Sequence, residues 1–240
     1  MNSIATPRRI DSEFQELGLA WLQTIAATVI FTLLLVSFKL YSGEIAKVGA
    51  ESGDAVNQIG FGSIGIISIT SLLLFVNRDV TKQIISMWWW LLFAFALLSV
   101  QQSYLPDAAL RAYIFTLMGI SGVMAVLTLP AGANGLHRVL ITGSIVTLVL
   151  CYAGLALYPD LAKHTLYGTK ETQHAGLWRG IYSHKNIAGP VMAVISFIGI
   201  YTIRRGSRLI GLIILAAALN FVAHTGSKTS AGLVPLVMLL

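Results

Sequence analysis

The chain of 240 residues is 56% hydrophobic and only 11% charged. Its mean hydropathy of +0.78 excludes an ordinary soluble domain and is typical of an integral membrane protein. The formal net charge is +6. The basic residues are spread over several loops and form no basic-aromatic module, so we expect no nucleic-acid partner. Membrane lipid head groups account for the cytoplasmic ones more simply.

Apolar runs separated by short polar breaks recur along the chain. A membrane-crossing helix needs about 20 apolar residues, so the pattern predicts an all-α, polytopic integral membrane protein with about seven to eight transmembrane helices. The predicted spans are Leu19–Leu40, Ile59–Val76, Ile84–Val100, Ala108–Leu129, Val139–Tyr158, Ile187–Ile203 and Leu209–Ala223. Ala231–Leu240 is only about half a span by the same rule, so we expect the helical domain of residues 19–240 to be truncated at 240.

Lys and Arg residues near the ends of these spans fall on one side of the membrane if every span crosses it. They are Arg8, Arg9, Arg78, Lys82, Arg138, Arg204, Arg205 and Arg208. Because cytoplasmic loops carry an excess of positive charge, we predict that residues 1–18 form a cytoplasmic amino-terminal segment. This segment has no short apolar region before a small-residue cleavage site, so we expect no cleaved signal peptide.

The loop of residues 159–186 departs from this charge pattern. It is predicted to face outward, yet it is rich in positive charge: Lys163, Lys170, Arg179 and Lys185. Positive charge on the disfavoured side of a membrane usually has a function. This outward-facing polar loop is therefore the strongest functional signal in the sequence.

The end of the loop runs directly into the sixth predicted span. Free N–H groups and the helix dipole favour anions at such a position. Arginine adds a bidentate fork for phosphate oxygens, and lysine adds a compact charge. We predict that Arg179, Lys185 and Asn186 bind a pyrophosphate group at the membrane surface.

The neighbouring His184 has two interpretations. As a catalytic base it needs a free ring nitrogen facing the substrate, whereas as a structural residue it would cap or brace the loop. His164, His174 and His184 do not repeat along a helix face, and no carboxylate or cysteine completes a ligand set, so we expect no zinc site. Cys151 is the only cysteine, which excludes an intrachain disulfide.

A second polar cluster, from His224 to Ser230, follows the seventh predicted span. Its glycine, its hydroxyl residues and Lys228 are typical of a phosphate-binding turn, but also of a solvated turn, and both interpretations stay open. The cluster lacks the leading glycine of a nucleotide P-loop. Both polar clusters are predicted to face the same compartment.

Two segments of the chain resemble a known family. They read W-R-G-x-x-x-H-K-N-x-x-G over Trp178–Gly189 and T-G-S-K-T-S over Thr225–Ser230. This pattern resembles the O-antigen ligase and polymerase family, especially its exopolysaccharide polymerase branch. The resemblance extends from Trp178 to Gly232, and upstream it consists of the helical layout alone.

The resemblance implies a GT-C-like, metal-independent glycosyltransferase of the bacterial inner membrane that uses no cofactor. Such an enzyme takes an undecaprenyl-diphosphate-linked glycan as donor and transfers it to a glycan or lipid acceptor at the periplasmic face. Arg179 matches the family's first diphosphate-holding arginine. Lys228 stands where relatives often have an arginine, and a lysine makes no bidentate contact. The family's histidine base lies in a large periplasmic loop, which we expect beyond Leu240.

We therefore predict a membrane glycosyltransferase that polymerises or ligates lipid-linked oligosaccharide. Arg179 and Lys185 would stabilise the departing diphosphate, and His184 and Asn186 would orient the site. The alternative is a lipid-linked glycan flippase or another membrane transporter, which should show broken helices and charged groups near mid-membrane. A scaffold subunit without chemistry would leave the basic outer loop unexplained.

Overall fold

The computed structural model describes residues 7–41, 55–76, 80, 87–165 and 172–238. Within these ranges α-helices make up nearly all of the regular structure, which confirms the all-α prediction. They are α1 (Pro7–Leu35), α2 (Ala55–Phe75), α3 (Met87–Gln101), α4 (Pro106–Thr128), α5 (Gly132–Leu157), α6 (Pro159–Ala162), α7 (Lys185–Arg204), α8 (Arg208–Thr225) and α9 (Lys228–Met238). The predictions that rest on Arg78, Lys82 and Lys170 lie outside the described residues.

Six of these helices are long and apolar enough to cross a membrane, which indicates a multi-pass membrane protein. They are α1 (over Gly18–Leu35), α2, α4, α5, α7 and α8. Helix α3 is apolar but has only 15 residues. At about 1.5 Å per residue it is shorter than the roughly 30 Å of a hydrocarbon core.

Large apolar side chains project from the span-length helices without protein partners. Leu73 is 78% exposed, Leu157 is 70% exposed and Leu209 is 73% exposed. In water such surfaces would drive association. Lipid tails are as apolar as leucine, so a bilayer is the natural surrounding for these faces.

Two helix starts differ from the predicted boundaries. Lys185 and Asn186, predicted in the loop, are the first residues of α7. Residues 228–230, predicted in a turn, form the first turn of α9. Both differences have one cause, because an apolar run marks where hydrophobic residues begin, whereas a helix extends into the polar residues that precede them.

The chain forms two compact units. The first holds Met1–Phe31 and Phe61–Val139, and the second holds Thr32–Gly60 and Leu140–Leu240. In the first unit α2 and α4 pack through Phe61 and Phe115, whose ring centroids are 5.1 Å apart. The predicted site residues all lie in the second unit.

In the second unit α7 and α8 form a hairpin whose backbones touch. A Cβ added at Gly211 would lie 2.7 Å from the Gly199 carbonyl oxygen and 2.7 Å from the Ile203 amide nitrogen. Glycine at these positions permits the close helix approach that is common in membrane proteins. The hairpin brings the first turn of α7 and the last turn of α8 to the same end.

We expect Gly211→Ala to destabilise the protein, because the new methyl group would meet backbone atoms that cannot move aside without parting the helices. Overpacking of this kind costs roughly 1–3 kcal/mol. Thermal unfolding in detergent measures the effect. Gly119→Ala in α4 is the matched control, since nothing lies within 4 Å of its added Cβ. An equal melting temperature for the two variants would contradict the tight hairpin.

Candidate functional site

The site begins with two paired segments. Residues 163–164, which follow α6, lie beside residues 176–178, which precede α7. Lys163 and Trp178 form an antiparallel bridge. The His164 amide donates to the Leu177 carbonyl at 2.9 Å, and the Gly176 amide donates to the His164 carbonyl at 2.8 Å. This pairing holds the outgoing and returning segments in a fixed register.

The returning segment then turns sharply at Gly180. The amides of Arg179 and Gly180 both donate to the Ala162 carbonyl at 2.9 Å. Gly180 has a φ of 60°, and its added Cβ would lie 2.9 Å from both Cys151 Sγ and Phe221 Cζ. Only glycine combines this conformation with so little space.

Beyond the turn, Tyr182 anchors the segment to the end of α1. Its hydroxyl donates to the Leu35 carbonyl at 2.6 Å. Burial raises the pKa of Tyr182, so the hydroxyl keeps its proton and remains a donor. Hydrogen bonds therefore hold this segment at Arg179 and Gly180 and again at Tyr182.

This arrangement buries two of the predicted cations. Arg179 is 3% exposed and Lys185 is 8% exposed. The Arg179 guanidinium donates through Nη1 to the Ser183 carbonyl at 3.1 Å. In the described part of the chain, the Lys185 ammonium has no hydrogen bond or ion pair. The ammonium is not among the described polar atoms that the protein seals from solvent. A mostly buried lysine whose charged end reaches solvent without a protein partner can meet an anion there, which makes Lys185 the most informative side chain of the site.

The first amides of α7 are all occupied by the protein itself. The Lys185 amide donates to His164 Nε2 at 3.2 Å, and the Asn186 amide donates to His184 Nδ1 at 3.1 Å. The next two amides, of Ile187 and Ala188, donate to the His184 carbonyl. The expectation of free N–H groups at this helix start is therefore wrong. Anion binding here must come from side chains.

The capping interpretation of His184 is confirmed by its hydrogen bond. His184 is the N-cap of α7, with the extended backbone typical of that position. His164 adds a second imidazole cap from a segment 21 residues away. The sequence did not predict this contact, because local sequence patterns indicate capping only by neighbouring residues.

Three imidazole rings lie close together beside the start of α7, although the sequence spacing of these histidines does not place them on one helix face. The centroids of His164 and His184 are 5.0 Å apart, and His174 lies 6.0 Å from the first and 5.9 Å from the second. Among the described residues, no group of three or more potential ligands has the geometry to hold a metal ion. The caps engage one nitrogen on each of two rings, which removes those lone pairs from coordination.

The second polar cluster lies against the first turn of α7, as the shared-compartment prediction requires. A Cβ added at Gly189 would lie 2.7 Å from both Ser227 Cβ and Ser230 Oγ. The Ser227 hydroxyl donates to the Ser230 hydroxyl at 3.1 Å. Lys228 is the first residue of α9 and is exposed, as Asn186 is at the start of α7.

An aromatic contact joins the loop to the end of α8. The Trp178 indole stacks on the His224 imidazole with centroids 4.1 Å apart, and the Trp178 amide donates to the His224 carbonyl at 3.0 Å. The structure thus assembles Arg179, His184, Lys185, Asn186 and Lys228 around the starts of two helices. His164 and the Ser227–Ser230 pair complete the set.

No protein-family model, no curated protein and no solved structure matches this chain. The resemblance to the O-antigen ligase and polymerase family therefore rests on the motif residues alone. Fold and site define a helical protein with span-length apolar helices and a basic cluster at one helix end.

We expect Gly180→Ala to destabilise the protein more than Gly176→Ala does. Both glycines have positive φ values, of 60° and 80°, so both variants lose roughly 1–2 kcal/mol of backbone energy. Only position 180 adds a steric clash, because nothing lies within 4 Å of a Cβ at position 176. Melting temperatures in detergent measure the difference. A melting temperature of Gly176→Ala equal to or below that of Gly180→Ala would contradict the close packing at Gly180.

Proposed function

We propose that this protein is a GT-C-like membrane glycosyltransferase, with α3 and α9 as its seventh and eighth spans. In this proposal it transfers an oligosaccharide from an undecaprenyl diphosphate to a glycan or lipid acceptor, in the bacterial inner membrane and at its periplasmic face. The amino terminus is cytoplasmic. Two lines of support are the motif resemblance and the electrostatics of the helix starts, and both concern Arg179, Lys185 and Lys228.

The observation that carries the proposal is the mostly buried Lys185, whose ammonium has no partner among the described residues. A helix start carries about half a positive charge, so a lysine at the first position is repelled there. Helix α7 has no acidic residue in its first turn, and Arg179 is buried six residues earlier. Helix α9 repeats the pattern with Lys228 at its first position and no acidic residue in its first turn. An anion relieves this accumulation of like charge.

A lipid-linked diphosphate fits this need in chemistry and in location. When the acceptor hydroxyl oxygen attacks the anomeric carbon, the bond from that carbon to the diphosphate oxygen breaks, and the hydroxyl proton passes to solvent water. The departing diphosphate keeps the bonding electrons and gains negative charge. Cations fixed beside it therefore stabilise the transition state more than the bound donor, which is the condition for catalysis. We assign this role to Arg179 and Lys185, with Lys228 as a third contact.

The test is binding of undecaprenyl diphosphate to the full chain in lipid nanodiscs. We expect Arg179→Ala and Lys185→Met to weaken binding by about ten- to a hundredfold, because each removes a charge-assisted contact worth roughly 1.5–3 kcal/mol. Arg179→Lys should restore binding only in part, since a lysine lacks the planar fork. Without ligand, Lys185→Met should also melt at a higher temperature, because an apolar side chain replaces a charge that the positive end of the helix dipole repels.

The matched control is Arg204→Met. Arg204 is exposed and lies in the last turn of the same helix, so its replacement removes one charge without touching the site. Binding should then equal that of the unaltered protein. Equal affinity for Arg179→Ala, Lys185→Met and the unaltered chain would refute the proposed site.

The proposed orientation has its own test. In a Cys151→Ala background, Gln173→Cys should react with an impermeant thiol reagent added to spheroplasts, and Ser207→Cys should not. Gln173 is exposed in the outward loop, and Ser207 lies in the turn after α7. The basis is the cluster Arg204, Arg205 and Arg208 beside that turn, which is typical of the cytoplasmic side. Labelling at Ser207→Cys alone would reverse the topology.

A further inference from the structure

The two histidine caps determine which ring nitrogen carries the proton. A backbone amide only donates, so the imidazole nitrogen that it meets must be unprotonated. His184 receives the Asn186 amide at Nδ1, and a neutral ring with an accepting Nδ1 carries its proton on Nε2. By the same rule His164, which receives the Lys185 amide at Nε2, carries its proton on Nδ1.

This tautomer conflicts with a base role for His184. A general base must offer an unprotonated nitrogen to the substrate, but the only such nitrogen of His184 faces the first turn of α7. The opposite nitrogen points away from the helix and carries a hydrogen. Since His184 is only partly buried, this N–H group is accessible from the side where the loop meets the helix.

We infer that His184 is a neutral hydrogen-bond donor that binds a phosphate oxygen of the lipid diphosphate through Nε2–H, while its Nδ1 caps α7. The inference rests on the proposed function, because it takes the ligand from there. A second observation points to an anion at the same place, namely the mostly buried Lys185 side chain, whose ammonium has no partner in the described residues. In this inference the His184 N–H group and the Lys185 ammonium bind different oxygens of one diphosphate.

His164 has a positioning role in this arrangement. It is 2% exposed, and its ring centroid lies 5.0 Å from that of His184. Its cap holds the Lys185 backbone, and its own backbone pairs with the returning segment. The ring therefore fixes where the first residue of α7 stands relative to the loop, without touching the ligand itself.

The experiment separates the cap from the donor with two variants of one residue. Asparagine is among the best N-cap residues, and its side-chain oxygen replaces Nδ1, but it has no group in the place of Nε2–H. We expect His184→Asn to keep the melting temperature and to weaken undecaprenyl diphosphate binding about tenfold. His184→Ala should lose both. Arg204→Met again serves as the control for unchanged binding.

The outcomes distinguish the inference from the proposed function. If the unaltered protein binds undecaprenyl diphosphate and His184→Asn binds it equally well, the donor role is wrong while the proposed function stands. If the unaltered protein does not bind it, both are wrong. The tautomer is measured separately from the ¹⁵N chemical shifts of labelled histidine, with the His184 signals assigned by their loss in His184→Asn. A protonated Nδ1 on His184 would overturn the inference whatever the affinities are.

Discussion

The hydrogen bond from the Lys185 amide to the His164 ring connects the parts on which the site depends. The first amides of a helix have no partner within it, and a buried donor left unsatisfied costs roughly 1–3 kcal/mol. Here the partner comes from a segment that pairs with residues 176–178 before the chain turns at Gly180. The register of that pairing, the turn and the helix start must therefore all form together.

The lysines at the two helix starts lower the free energy of unfolding of the protein without ligand. Lys185 and Lys228 occupy the first positions of two helices, where the dipole is positive, and neither first turn contains an acidic residue. Natural sequences usually place acidic residues at such positions. A local conflict of this kind is typical of functional sites, because the stability lost in folding is recovered when the ligand binds. The melting behaviour expected for Lys185→Met follows from the same conflict.

Much of the fold could be predicted from the sequence, because length and hydropathy alone determine whether a helix suits a bilayer. Each predicted span overlaps a helix of the described residues, and six of these helices are long and apolar enough to cross a membrane. The apolar criterion failed at the polar helix starts, where Lys185 and Lys228 belong to helices rather than to loops. Residues 84–86 of the third predicted span lie outside the described residues.

The site was predicted less completely, since its geometry depends on contacts between distant residues. The basic residues and His184 stand close together in the sequence, so their charge pattern was visible. The fold-back that brings His164 to α7 has no sequence signal, because 21 residues separate the donor from the acceptor. The contact of Gly189 with Ser227 is likewise a property of the α7–α8 hairpin, whose close approach places two helix starts together.

This site would recognise phosphate by a different principle from a glycine-rich loop. Such loops present bare backbone amides to the anion, whereas here four amides of α7 are bound by histidines, and the Ser227 amide donates to the Thr225 hydroxyl at 3.2 Å. The side chains proposed to bind phosphate are then Arg179, Lys185, Lys228 and His184 through its Nε2–H group. In the proposed function, burial of the Arg179 and Lys185 stems and the histidine caps at the start of α7 would keep these charges in place while the diphosphate leaves.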